Sequence, residues 1–234
     1  MRAILTGTRS FGCAALDKMV DDGHDVALVV APLGDKLAQY AQYKHQLPVA
    51  CELNETVVLR ARADLIVAAH SHLFIGSLSR AATRLGALVG HPSLLPRHRG
   101  RDSVEWTIRF RDAIAGFTWF WADNHVDTGP IAKQDWCHVD PTWTASDLWS
   151  ERLFPMGIEL LGRTLAELDR GVLMQIPQDQ RFATTEPSLD RTLLHRPELL
   201  ALGAPAGYAV VASTEDPLYS RWGPEGCKIE PWTS

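Results

Sequence analysis

The sequence predicts an α/β fold in which a mostly parallel sheet carries helices on both faces. Short apolar runs alternate along the chain with segments that have a helical pattern. The runs are too continuous for strands with one face in water, and such strands occur in parallel sheets that are covered on both sides. With 234 residues, of which 46% are hydrophobic, the chain can bury one substantial core.

The first third of the chain begins this alternation. Residues 2–6 ("RAILT") predict a strand, and residues 11–22 predict a helix that ends at Gly23. Buried strands are also predicted over residues 25–30 ("DVALVV") and 63–70 ("ADLIVAAH"). The stretch between these two strands is polar and is punctuated by proline and glycine.

The middle of the chain continues the pattern. A helical patch lies near residues 77–84, and a strand is predicted over residues 86–90 ("GALVG"). Residues 116–123 ("GFTWFWAD") carry large side chains on both faces, for example Trp119 on one and Phe120 on the other. Because neither face favours water, this segment belongs inside the sheet.

A long helix is predicted over residues 146–170. Thr144 and Asp147 have the spacing of a capping box, leucines recur at helical intervals, and Gly171 ends the pattern. Pro155 lies inside the helix, so a kink is expected there.

The C-terminal part has a different composition. Prolines recur from residue 175 onward, and the only strand-like run is residues 208–213 ("YAVVAS"). The sequence therefore predicts a catalytic domain over residues 1–180 and a short C-terminal extension or small subdomain over residues 181–234.

Composition excludes several classes of protein. The formal charge of −5 gives no basic field, so nucleic acid is not an expected partner and a small molecule is. No apolar run reaches the roughly 18 residues of a membrane helix. The four cysteines have no Cys-x-x-Cys spacing and no signal peptide is recognisable, which predicts a reduced, cytoplasmic protein.

The first glycine-rich stretch is a weak candidate for a phosphate site. Residues 7–12 ("GTRSFG") follow the first predicted strand but lack the G-x-G-x-x-G spacing. A tight turn without a ligand is the favoured interpretation.

His91 begins the stretch "HPSLLPRHRG", directly after a predicted buried strand. Open α/β sheets bind ligands just outside the carboxyl ends of their strands, so this position favours a functional role. Pro92 and Pro96 restrict the loop and can hold the ring in one orientation. The alternative is a strand-end histidine whose ring is satisfied by the backbone.

Asp127 lies in the turn-forming stretch "DNHVDTGP", after the strand predicted over residues 116–123. If both strands end on the same edge of the sheet, this carboxylate faces His91. An aspartate beside a histidine favours the charged imidazole and can relay a proton during attack on a carbonyl.

The two stretches together carry a family resemblance. "HPSLLPRHRG", followed some 26 residues later by "VDTGP", resembles the 10-formyltetrahydrofolate-dependent formyltransferases over about residues 1–175. The stretches "HPSLLPRHRG", "FWAD" and "RLFPMGI" look most like the amino-terminal hydrolase domain of 10-formyltetrahydrofolate dehydrogenase. The resemblance implies a Rossmann-like sheet with 10-formyltetrahydrofolate as formyl donor.

The resemblance also implies catalytic roles for His91 and Asp127. The family pattern is Asn-x-His, in which both side chains donate to the oxyanion, whereas this chain has Val89 where the asparagine would stand. Loss of one such donor typically lowers turnover about 100- to 1000-fold. The dehydrogenase branch is likewise apolar at this position, so the departure fits that branch but puts efficient transfer to an amine in doubt.

By the same resemblance, two segments line the folate pocket. They contribute Ala69, His70, His72, Leu73, Phe74, Ile75, Asn124, His125, Val126 and Thr128. His70 or His72 could replace the missing donor, although ordinary pocket-wall residues are the favoured interpretation. A zinc site is disfavoured because the pair supplies only two ligands, so no metal is expected.

A basic loop follows His91 and lies on the acceptor side in the family. It holds Arg97, Arg99 and Arg101, which could receive a phosphate or carboxylate of the acceptor, and Trp106 is a candidate wall of that cleft. A solvated basic loop is the alternative.

The resemblance predicts transfer of the formyl group to an amine of a small molecule. Hydrolysis of 10-formyltetrahydrofolate with release of formate is the second candidate, and a folate-binding module whose chemistry has decayed is a third. Methionyl-tRNA is a disfavoured acceptor because the roughly 55 residues after 180 are too few, and not basic enough, for the tRNA-binding barrel of such enzymes. The sequence is compatible with an oligomer.

Overall fold

The computed structural model describes residues 1–189, which form one seven-stranded sheet in the order β3-β2-β1-β4-β5-β6-β7. The strands are β1 (Arg2–Gly7), β2 (Asp25–Val30), β3 (Val49–Ala50), β4 (Leu65–Ala69), β5 (Ala87–His91), β6 (Ile114–Trp121) and β7 (Ile131–His138). Strands β1 to β5 are parallel, and β6 and β7 are antiparallel to their neighbours. The predicted α/β fold with a mostly parallel sheet is confirmed.

Helices cover both faces of this sheet. They are α1 (Arg9–Asp21), α2 (Lys36–Tyr43), α3 (Glu55–Ala61), α4 (Ser77–Ala81), α5 (Ser103–Arg109), α6 (Ala145–Leu148) and α7 (Phe154–Asp169). Successive residues of a strand point to opposite faces, and the core divides accordingly. Leu5 packs in one cluster with Leu16 and Leu161 of α1 and α7, whereas Ile4 packs in a second cluster with Val58 of α3.

The polar stretch between β2 and β4 contains α2, β3 and α3, which the sequence analysis did not assign. Asp35 and Asn54 cap the two helices, accepting hydrogen bonds from the backbone N–H groups of Leu37 and Val57. These caps were a usable signal, because aspartate and asparagine are preferred at helix N-termini. The helices are short, at 8 and 7 residues, so each offers few repeats of an apolar pattern.

Strand β6 lies inside the sheet as predicted, but it runs antiparallel to β5 and pairs His91 with Thr118. The expectation that the two strands end on the same edge is therefore wrong. An apolar run that is buried on both faces fits either direction, so its residues do not encode its orientation. Strand β7 was not anticipated.

The predicted helix over residues 146–170 is interrupted. The capping box is present, since Thr144 accepts from the backbone N–H of Asp147 and the Asp147 carboxylate accepts from that of Thr144. A π-helical segment, Trp149–Leu153, then precedes α7, and Pro155 lies in the first turn of α7. The irregularity at the proline thus takes the form of a wider helical turn rather than a simple kink.

After α7 the chain returns to the sheet, where Ile176 bridges to Ile131 of β7. Residues 178–189 then lie against the loop that follows β5. The strand-like run at residues 208–213 lies outside the described residues, and the domain boundary at residue 180 stays a prediction. Within residues 1–189, no helix is both long and apolar enough to cross a membrane.

Candidate active site

His91 is the last residue of β5, at the edge where the parallel strands end. Its side chain is 9% exposed. Nε2 lies 2.7 Å from the carbonyl oxygen of His98, and because a carbonyl only accepts, Nε2 carries a proton and donates it. The other ring nitrogen, Nδ1, lies 3.5 Å from Oδ2 of Asp127. The structure therefore brings the two predicted catalytic side chains together.

Asp127 reaches His91 although β6 ends away from it, because the loop between β6 and β7 folds back toward β5. Asp127 has a left-handed backbone, with φ of 53°. Its Oδ2 accepts from the backbone N–H of Gly100 at 2.7 Å, and its carbonyl accepts from Gln178 at 2.9 Å. A Cβ at Gly129 would lie 1.7 Å from the Trp121 carbonyl oxygen, so only glycine allows this return path.

The loop after His91 is held by β6 and β7 as well as by its prolines. The Thr118 hydroxyl donates to the Ser93 carbonyl at 2.7 Å and accepts from the Leu95 N–H at 3.2 Å. Gln134 of β7 donates to the Leu95 carbonyl at 3.1 Å. The peptide bond between Leu95 and Pro96 is cis. These contacts fix the loop on the face of β6, next to the histidine.

His70 and His72 lie at the end of β4 with their ring centroids 5.4 Å apart. The Thr8 hydroxyl donates to the His70 carbonyl at 2.7 Å and lies 2.8 Å from His70 Nδ1. Burial lowers the pKa of both histidines, and the neighbouring cations Arg9 and Arg101 lower that of His72 further. Both rings are therefore neutral at pH 7, and Nδ1 of His70 is engaged by the threonine.

The two segments predicted to hold folate are joined by Arg80 of α4. Its guanidinium donates to the Ile75 carbonyl and to the side-chain oxygen of Asn124. Three apolar side chains on these segments are exposed: Leu73, Phe74 and Val126. The remaining predicted members lie on the same two segments, where Ala69 is buried, His125 is exposed, and Thr128 donates to the Asp123 carboxylate.

The predicted acceptor-side residues differ in their exposure and in their contacts. Arg97 pairs with Asp112 at 2.9 Å, and Arg99 is buried with its guanidinium on Gln178 and Gln180. Trp106 is fully buried and donates to the Pro187 carbonyl at 2.9 Å, so its face does not line an open cleft. Arg97 and Arg101 are both exposed, and Arg101 lies near His72, whose pKa its charge lowers.

Val89 lies two residues before His91 and shares its side of the sheet. It pairs with Ala68 of β4 and Phe120 of β6, and its side chain packs against the second apolar cluster. A valine has no donor, so the oxyanion contact that the family pattern implies at this position is missing. Among residues 1–189, no group of three or more His, Cys, Asp or Glu side chains is arranged to hold a metal.

A sequence model described as formyl transferase matches residues 2–160, most of the part that forms the sheet and α7. This chain belongs to the formyl transferase family. Over 101 residues it is 43% identical to human mitochondrial 10-formyltetrahydrofolate dehydrogenase, covering 43% of this chain but only 11% of that protein's length. Over 209 residues this chain is 30% identical to methionyl-tRNA formyltransferase of Acidobacterium capsulatum. That match covers 82% of this chain and 67% of the relative.

Solved formyltransferase structures share the fold. An N-formyltransferase from Helicobacter canadensis, in complex with folinic acid and dTDP-3-aminofucose, superposes with a TM-score of 0.67 at 16% identity. The match covers 83% of this chain and 73% of that one. At 16% identity the likeness establishes the fold of this chain and does not identify an acceptor.

Sequence reasoning missed several residues that hold the site. Gly100 and Gln178 support Asp127, Arg80 joins the folate segments, and Glu186 contacts the loop after His91. Gln178 lies 51 residues from Asp127 along the chain, and Glu186 lies 88 residues from its partner His98. No local pattern marks contacts of such separation.

Proposed function

We propose that this protein transfers a formyl group from 10-formyltetrahydrofolate to an amine of a small-molecule acceptor. The observation that carries the proposal is the convergence of His91 and Asp127, 3.5 Å apart, at the carboxyl edge of the sheet. The two Arg80-linked segments beside them, with exposed Leu73, Phe74 and Val126, offer an apolar wall for the folate. No metal enters the proposed chemistry.

His91 acts as the donor to the oxyanion. The His98 carbonyl fixes one proton on Nε2, so Nδ1 carries a proton only when the ring is an imidazolium. The formyl oxygen is expected to approach the Nδ1 edge of the ring, beside the Asp127 carboxylate.

The reaction proceeds through a tetrahedral intermediate. The acceptor nitrogen attacks the formyl carbon, and the carbonyl electron pair moves to oxygen, where Nδ1–H of His91 stabilises it. Asp127 takes the proton of the attacking nitrogen through a water. Collapse breaks the bond between the formyl carbon and N10 of tetrahydrofolate, and N10 takes up a proton.

Val89 supports hydrolysis as the second candidate. With one oxyanion donor missing, the barrier for attack rises by about 3–4 kcal/mol. In the hydrolytic reaction water replaces the amine at the same carbon, and the products are formate and tetrahydrofolate. The identity of 43% with a 10-formyltetrahydrofolate dehydrogenase over residues of this domain also favours this alternative. A catalytically decayed folate-binding module remains the candidate of another class.

Arg101 is the part of the site that favours an anionic acceptor. It is an exposed cation on the loop after His91, so a phosphate or carboxylate of the acceptor is expected to approach it. A cytoplasmic location belongs to the same proposal. Among residues 1–189, Cys13, Cys51 and Cys137 form no disulfide with one another.

The test uses purified protein and 10-formyltetrahydrofolate. Tetrahydrofolate formed only after a phosphorylated or nucleotide-linked amine is added supports transfer, and formate released without an acceptor supports hydrolysis. Folate binding without product from any acceptor supports the decayed module. Formylation of methionyl-tRNA contradicts the small-molecule acceptor.

A matched pair of variants tests the assigned histidine. His91→Ala should abolish turnover and leave folate binding and the melting temperature nearly unchanged. His138→Ala, at an exposed position at the end of β7, is the control and should keep full activity. Normal turnover of His91→Ala overturns the assignment.

A further inference from the structure

His98 forms a buried cluster with two carboxylates beside the proposed site. Its side chain is 3% exposed, Nδ1 lies 3.1 Å from Oε2 of Glu186, and Nε2 lies 2.9 Å from Oδ2 of Asp112. A carboxylate only accepts hydrogen bonds, so both ring nitrogens must donate. With both carboxyl groups ionised, this geometry favours a doubly protonated imidazolium at His98.

The charges around His98 support this protonation state. Burial opposes the charged ring, but the hydrogen bonds and negative charges of Glu186 and Asp112 outweigh it and raise the pKa of His98. Arg97 shares the Asp112 carboxylate, and the Phe110 ring packs 5.7 Å from the imidazole. Glu186 is itself buried, with 6% of its side chain exposed.

The backbone of His98 contacts the proposed catalytic histidine directly. Its carbonyl oxygen is the acceptor for His91 Nε2, at 2.7 Å. The position of that carbonyl is set from the other side, because the His98 N–H donates to the Thr184 hydroxyl at 2.8 Å and the Arg99 N–H donates to the Thr184 carbonyl at 3.0 Å. The backbone and the ring of His98 therefore both contact residues 184–186, so the charged cluster and the acceptor of His91 are held by one short segment.

Residues 178–187, which we name the strap, hold the other half of the pair as well. Gln178 donates to the backbone carbonyls of Asp127 at 2.9 Å and Gly129 at 2.7 Å, and its oxygen accepts from the buried guanidinium of Arg99. The strap therefore contacts the loop that carries Asp127 and the loop whose carbonyl holds His91. Its attachment to the second loop runs through Thr184 and Gln178 as well as through the Glu186–His98 contact.

We propose that the cluster of His98, Asp112 and Glu186 is a positioning device that fastens the strap and sets the orientation of His91, an inference that rests on the proposed function. Asp112 and Glu186 act through His98, and His98 acts through its carbonyl. The competing interpretation is that the cluster serves the stability of the fold alone.

Glu186→Gln is the discriminating variant. The glutamine keeps the shape and an acceptor oxygen for Nδ1 but removes a negative charge from beside the ring. We expect kcat to fall on the order of tenfold at pH 8 with KM for 10-formyltetrahydrofolate within about twofold. Activity should recover toward the wild-type value at pH 6, where His98 regains its second proton. Glu159→Gln, an exposed glutamate on α7, is the matched control and should change neither quantity.

The second readout needs no turnover. NMR of histidine-labelled protein follows the ring protons directly. In the wild type, His98 should keep both ring protons to a pH above about 6.5, the ordinary pKa of histidine. In Glu186→Gln, His98 should lose one ring proton at a lower pH than in the wild type. The ring signals of His91 should shift as His98 titrates. Asp112→Asn removes a charge from the opposite edge of the ring and serves if Glu186→Gln does not fold.

The outcomes separate the two proposals. An unchanged pH profile and kcat in a folded Glu186→Gln variant overturn the positioning role, and so do His91 signals that ignore the titration of His98. A wild-type His98 that is neutral at pH 7 overturns the charge assignment. If the protein shows no formyl chemistry but the His91 signals follow His98, the proposed function fails and the coupling between the two histidines stands.

Discussion

Asp127→Asn tests the proposed chemistry with the smallest change of shape. Asp127 is 16% exposed, its Oδ2 faces His91 Nδ1 at 3.5 Å, and the same oxygen accepts from the Gly100 N–H at 2.7 Å. An asparagine oxygen can still accept from Gly100, so the loop should keep its conformation. The negative charge that lies beside Nδ1 of His91, and the base that takes the amine proton, are both lost.

The expected loss follows from these two roles. Removal of a positioned acid or base typically lowers turnover about 10²- to 10⁴-fold, which corresponds to about 2.7–5.4 kcal/mol of barrier height. We expect kcat to fall by that factor while the dissociation constant for a folate ligand changes less than about threefold. The negative charge is not needed to hold the apolar wall formed by Phe74 and Val126.

The assay combines steady-state kinetics with calorimetric folate binding. Asp135→Asn is the control, because Asp135 is a half-exposed carboxylate of β7 that lies 3.9 Å from Arg163 and does not contact the site. A folded Asp127→Asn protein that binds folate and keeps kcat within about threefold of wild type would refute the role of Asp127 in catalysis.

Three further predictions concern the residues that hold the site in place. Gly129→Ala should lower the free energy of unfolding by at least about 3 kcal/mol, since its Cβ would lie 1.7 Å from the Trp121 carbonyl oxygen. Thermal unfolding should show this loss, whereas the control Gly76→Ala, which has open space at Cβ, should unfold at the wild-type temperature. Arg80→Lys should raise KM for the folate about tenfold with little change in kcat, because a lysine cannot bridge Ile75 and Asn124 in the same way; Arg84→Lys is the control, and equal KM values would contradict the link. Because the pKa of His98 is raised, its protonated ring should stabilise the fold fully below about pH 6.5, and this contribution should be lost as pH rises through the pKa of the folded state. Burial lowers the pKa of three other histidines, so their contribution to stability falls as pH drops below about 6.5: His24, His70 and His72. Urea unfolding between pH 6 and pH 9 should therefore show a wild-type advantage over Glu186→Gln that shrinks with rising pH, and a constant difference would contradict the charge of His98.

Strands β1, β2, β4 and β5 were predictable because their apolar runs are continuous and closed by glycine or polar residues, whereas β3, with two residues, was not. The segment predicted over residues 25–30 is strand β2, and the capping box of Thr144 and Asp147 is present as predicted. The direction of β6 was not predictable, since Trp119 and Phe120 are buried whichever way the strand runs.

The candidate site shows the same division. The proximity of His91 and Asp127 was an expectation from the family resemblance, and the other reason given for it, a shared strand edge, was wrong. The roles of Arg99 and Trp106 could not be inferred, because what buries them is the segment from Gln178 to Pro187. Such contacts bring together residues about 80 positions apart, and only the folded chain reveals them.

The contacts of the strap make the geometry of His91 and Asp127 depend on residues that follow the sheet in the sequence. A protein cut after residue 175 would keep strands β1 to β7 and α7. It would lack the Gln178 amide, which donates to the Asp127 carbonyl, and the Glu186 carboxylate, which contacts the His98 ring. His91 and Asp127 would then be held by fewer contacts, although the segments that carry them would be intact.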